Sequence, residues 1–105
     1  MEIFQIKQGA RAPSIRDQIV YADGSPVDIS DATSPVFTMY DLDGAEVLSE
    51  TAQITGATDG YVAYDWQAGD TDTVGTFRAV WQVTLQGGEV LRAPVDGYRY
   101  IEVTR

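Results

Sequence analysis

Sixteen carboxylates, with no histidine and no cysteine, set the chemical repertoire of this 105-residue chain. Without imidazole or thiolate, ordinary serine triads, cysteine nucleophiles and the usual zinc ligands are all missing. Paired carboxylates are the chemistry left to test, because glycosidase work needs one acid of raised pKa beside a second at a fixed distance. Most of the acids do not suggest it. Asp23, Asp43, Asp59, Asp70, Asp72 and Asp96 lie in or beside turn sequences, where Asp serves the backbone. Asp17 differs, since strict alternation places it on the face of Ile15 and Ile19. A carboxylate buried there would need an arginine or backbone amides as partner. Lone acids are rarely buried, so Asp17 is expected at a strand end or bulge, in contact with water.

Asp41-Leu42-Asp43-Gly44 imitates the start of a calcium loop. Setting Gly44 at that loop's glycine position puts Met39 at its first ligand position, which cannot ligate. The segment therefore reads as a hairpin turn. Asp70-Thr71-Asp72 could hold a cation weakly but also reads as a turn. There is no Gly-x-Ser-x-Gly and no glycine-rich phosphate loop, and Lys7 is the sole lysine. The chain is expected not to be an enzyme and to use no cofactor or metal.

The aromatic residues remain. Trp66 and Trp81 fall on inward parity and are expected in the core, facing across two sheets. Tyr40, Tyr61, Tyr98 and Tyr100 are less committed. Exposed tyrosines can stack sugars or anchor protein contacts, while cross-strand pairing on a half-exposed sheet explains them equally simply. The candidate contact surface consists of Tyr61, Tyr98 and Tyr100, with Arg11 and Arg99.

Charge divides the chain. The net charge is −9, and between Asp17 and Phe77 there are twelve acids but no lysine or arginine. All the basic residues (Lys7, Arg11, Arg16, Arg78, Arg92, Arg99 and Arg105) lie in the two ends. Such a chain repels phosphate backbones, so no nucleic-acid partner is expected. The asymmetry serves solubility, or it lets basic end strands meet the acidic middle of the same or a neighbouring subunit.

The elements that would position these residues are strands. Phe77, Ala79, Trp81 and Val83 alternate with Arg78, Val80 and Gln82, and Val62, Tyr64 and Trp66 alternate with Tyr61, Ala63 and Asp65. Ile15 with Ile19, Phe37 with Met39, Ile101 with Val103, and Phe4 with Ile6 mark four more runs. Asp-Gly pairs at 23–24, 43–44, 59–60 and 96–97, with Gly87-Gly88, supply turn signals between them. Pro26, Pro35 and Pro94 stand at run edges, as a residue that cannot donate to a ladder should. Residues 25–29 read as a short extended link. Helix content is expected near zero, the best site for a 3₁₀ turn being Gln67–Thr73. The whole chain, 1–105, is expected to form one all-β domain, an antiparallel sandwich or barrel. No apolar run approaches the roughly 18 residues of a membrane span. The opening MEIFQIKQG lacks the features of a secretory signal, so a soluble, cytoplasmically made protein is expected.

One stretch says more than its composition. Tyr64-Asp65-Trp66 through Asp70-Thr71 to Gly75-Thr76-Phe77-Arg78-Ala79 resembles the "Y-x-W … D-T … G-x-aromatic-x-A" run of the immunoglobulin-like domain of phage baseplate upper proteins. Ile6-Lys7-Gln8-Gly9 through Ala12-Pro13-Ser14-Ile15 resembles that family's first strand pair, and Asp23-Gly24-Ser25-Pro26-Val27-Asp28-Ile29 its "D-G-x-P-V-D-L" turn. The resemblance covers nearly the whole chain in order. It implies an Ig-like antiparallel β-sandwich of about seven to eight strands with no catalytic residues. It further implies a virion structural protein, assembled in the host cytoplasm, docking onto or decorating the tail, baseplate or neck. Other virion proteins and copies of itself are the implied partners. Because nothing follows Arg105, a small docking or decorating unit, including a capsid decoration protein, is expected rather than a receptor-binding arm. A carbohydrate-binding module using Tyr61, Tyr98 or Tyr100 is the reading from a different class. A bacterial adhesion domain and a metal-dependent hydrolase stand behind these.

Overall fold

In a computed structural model, which describes residues 3–94 and 97–105, the chain is almost entirely β. The strands are β1 (Ile3–Lys7), β2 (Ile15–Gln18), β3 (Val36–Tyr40), β4 (Glu46–Thr51), β5 (Gln53–Gly56), β6 (Tyr61–Tyr64), β7 (Gly75–Thr84), β8 (Val90–Ala93) and β9 (Arg99–Thr104). They form a six-stranded sheet ordered β1-β9-β7-β3-β4, with β8 also on β7, and a three-stranded sheet ordered β2-β6-β5.

β7 organises the larger sheet because its alternation runs longest. Phe77, Ala79, Trp81 and Val83 are buried, while Thr76, Arg78, Val80, Gln82 and Thr84 are only half-buried on the other face. One of its edges pairs with β3; the other pairs first with β9 and then with β8. β8 and β9 thus act as one strand interrupted after Ala93. The next residue, Pro94, has no backbone N–H with which to continue a ladder.

The two sheets meet through aromatic rings. Phe37 of β3 stacks on Tyr64 of β6 at 4.9 Å, lies 4.8 Å from Trp81, and meets Trp66 edge-on at 5.8 Å. Both tryptophans are buried as expected, but Phe37 sits between them. Burying rings of this size supplies much of the stabilisation in a core with no disulfide. The Tyr64 hydroxyl donates to Asp70, and burial followed by that carboxylate pushes its pKa up.

Turn chemistry behaves as its sequence suggests at two decisive places. In the β3–β4 hairpin, Asp41 Oδ1 accepts from the amides of Asp43 and Ala45, each at 2.9 Å, and Gly44 takes φ +91°. Gly60 combines φ +78° with a Cβ position only 2.5 Å from the Ile19 carbonyl oxygen, so no side chain fits. Asp96 lies outside the described residues.

Several expectations require correction. Among the described residues there are nine strands, more than the seven to eight expected. β4, β5 and β8 escaped notice because edge strands bury too little to alternate clearly. The pairing is not wholly antiparallel: β1 runs parallel to β9, with Phe4 opposite Ile101 and Ile6 opposite Val103. The first strand pair separates, β1 joining the large sheet and β2 the small one. The 3₁₀ turn forms at Ala57–Asp59, whereas 67–73 holds ordinary turns closed by Asp70 N to Gln67 O and Asp72 N to Gly69 O.

Candidate functional site

Asp17 lies one residue from the end of β2 and keeps some contact with water, as expected, but it is at no bulge and is not a lone acid: β2 pairs regularly with β6 through it, opposite Val62. Its side chain turns inward, 25% exposed, and Oδ2 accepts from Trp81 Nε1 at 2.8 Å while Arg99 Nε lies 3.1 Å from Oδ1. One carboxylate of the small sheet therefore holds an indole and a guanidinium of the large sheet. That is the arginine partnership a buried acid requires, so the group is satisfied without water. The arrangement is an inter-sheet pin, with both oxygens already engaged.

The same pin moves Arg99 off the candidate contact surface. By the register of β9 it shares the inward side with Ile101 and Val103, and its side chain is 13% exposed. The sequence-based candidates accordingly separate. Arg11 is exposed in the β1–β2 loop. Tyr61 is exposed on the small sheet with its ring over Gly56, where an added Cβ would lie 3.1 Å from the ring. It borders a hollow of about 560 Å³ with Arg16, Gln18 and Thr55. Only Tyr98 and Tyr100 come together. Both accompany Arg78, Tyr100 as its cross-strand neighbour and Tyr98 as the ring beneath its guanidinium at 4.9 Å.

Around Arg78 the outer face of the large sheet forms a groove of about 440 Å³ lined by Tyr40, Val80, Arg92, Pro94 and Tyr98. β-Register explains the assembly. Tyr40 pairs with Arg78, Thr38 with Val80, and Arg92 with Gln82, so these outward side chains share one face. Arg78 Nη2 donates to the Leu42 carbonyl at 3.1 Å, and its buried Nε has no hydrogen-bond partner. Among the described residues neither Arg78 nor Arg92 pairs with a carboxylate, although the chain carries sixteen acids. The groove is thus a cationic, aromatic strip on an acidic molecule. Arg78 and Arg92 were the residues missed. Outward parity on β7 marks Arg78, and the Gly87-Gly88 turn announces a hairpin, but β8 is too short and too exposed to show by alternation which way Arg92 points.

Elsewhere the acids serve turns and loops. Asp65 accepts from Ser14 and from Gln53, and Asp23 and Asp28 each accept from a serine two residues on. Each is held below the usual carboxylate range, chiefly by the serine hydroxyl.

With this geometry in hand, the chain was compared with known proteins. No protein-family model matches it, and no curated protein does. A solved structure matches closely: the N-terminal domain of phage TP901-1 ORF48, with a TM-score of 0.68 at 21% identity, over 99% of this chain and 86% of that one. The two chains share a fold. At that identity the likeness concerns architecture, and the side chains of the groove have to be read on their own.

Proposed function

We propose that the chain is an immunoglobulin-like β-sandwich that serves as a non-enzymatic docking or decorating component of a phage particle, in the tail, baseplate or neck. The observation that carries this reading is a fold shared with the N-terminal domain of a phage protein over 99% of this chain, beside the ordered sequence motifs that resemble a phage baseplate family. The strand plan supports the immunoglobulin part. β2-β6-β5 stands where such domains place B-E-D, β3-β7-β9 where they place C-F-G, and β4 in the position of C′. The outer face supports the docking part, because an aromatic–arginine strip is the composition that protein contacts favour. The carbohydrate reading loses one of its three platforms, since Arg78 covers a face of the Tyr98 ring that a sugar would use.

Mass spectrometry of purified particles of the phage that encodes the chain tests the proposal. The chain should be present in a fixed ratio to the major structural proteins. Its absence from particles, with abundance only in the host lysate, overturns the reading.

A further inference from the structure

The groove has its complement beside it. The β3–β4 turn carries Leu42, 59% exposed and the most exposed large apolar side chain among the described residues, followed by Asp43. Asp41 is committed to its own turn through two backbone amides, whereas the Asp43 side chain faces solvent with no partner. Arg78 binds the Leu42 carbonyl, and Gly44 of the same turn lines the groove. An apolar-acidic knob is therefore fixed at the rim of an aromatic-cationic groove, and both lie on one face.

Among the described residues knob and groove do not satisfy each other within one chain: Asp43 makes no ion pair with Arg78 or Arg92, although its turn stands at the rim. Two copies can. A contact in which the same patch serves both partners requires a surface carrying both halves of the complement, and it closes about a two-fold axis. We propose that the outer face of the large sheet binds a second copy of this chain, each Leu42–Asp43 knob seated in the groove of the other. Leu42 packs over Val80 and Tyr98, and Asp43 pairs with Arg92, which makes no ion pair among the described residues of the single chain. The net charge of −9 opposes association elsewhere on the surface, so this cationic strip is where two such molecules can approach. The molecule measures 40 × 24 × 21 Å, and its broad face can supply the roughly 800 Å² per partner of a standard interface.

The pairing refines the particle reading by naming the face used, and it is tested independently of it by sedimentation equilibrium of the full chain. Wild type should dimerise. Arg92→Asp and Asp43→Arg, both at exposed positions, should each weaken the dimer by about thirty-fold or more while leaving the circular dichroism spectrum unchanged. The doubly reversed chain, Arg92→Asp with Asp43→Arg, should recover most of the loss because the pair is restored with its signs exchanged. A monomeric wild type, or a dimer that either single reversal leaves intact, overturns the pairing. Neither result touches the particle reading, which depends on presence in particles.

Discussion

The two faces of β7 hold the same number of residues and obey opposite rules. Inward, Phe77, Ala79, Trp81 and Val83 are sealed against the small sheet, and even the charged neighbours at that level, Asp17 and Arg99, are paired with one another. Outward, Arg78 and Val80 lie half-buried, and on β8 Arg92 makes no ion pair among the described residues. On the inner face Asp17 partners both Arg99 and Trp81, because leaving such groups unpaired in low dielectric is costly, although the buried Trp66 Nε1 has no hydrogen-bond partner among the described residues. On the outer face Arg78 and Arg92 make no ion pair among the described residues, while Glu102 on the same face accepts from Gln5. The inward carboxylate-guanidinium pair ties the two sheets together, and the outward arginines mark the face available to a partner.

The largest effect that would break this contrast lies at Trp81. Truncation by Trp81→Ala removes the ring against Phe37 and one donor to Asp17, and should cost about 3–5 kcal/mol in urea unfolding. A cost under 1 kcal/mol would mean that the rings do not hold the sheets. Asp17 separates packing from pairing. Asp17→Ala removes the ion pair to a mostly buried guanidinium and the acceptor of an indole N–H, for a loss of about 2–3 kcal/mol. Asp17→Asn keeps an acceptor for Trp81 and should lose less; equal losses would place the whole effect on charge. The smallest change belongs outside. Arg92→Ala should move stability by no more than about 0.5 kcal/mol, since it is exposed and makes no ion pair among the described residues. A large loss there would make the outer face part of the fold's own support and erase the contrast.

Reading the sequence recovered the inner face better than the outer one. Inward positions on β2, β3, β6, β7 and β9 follow from period-two patterning, since a strand buried on one side must alternate. β4, with only Leu48 half-buried, and β5, which slips register between Ile54 and Gly56, carry no such imprint. Tyr98 and Tyr100 were legible as candidates because aromatic residues near the chain's end invite the question. Arg99 between them was misplaced, since its direction follows the register of β9 on β7 and its partner lies 82 residues away.

Period, turns and the absence of histidine and cysteine thus determined by themselves that this is a β protein without the usual nucleophile or zinc chemistry. These are properties of neighbouring residues, and steric and chemical rules read them directly. What only the tertiary structure decided is which side chains from distant strands share a face. It set β1 parallel to β9, brought Asp17 to Trp81 and Arg99, and put Arg92 in one groove with Tyr40. Such meetings depend on register between strands far apart in the chain. A shift of one residue would send every one of these side chains to the opposite face.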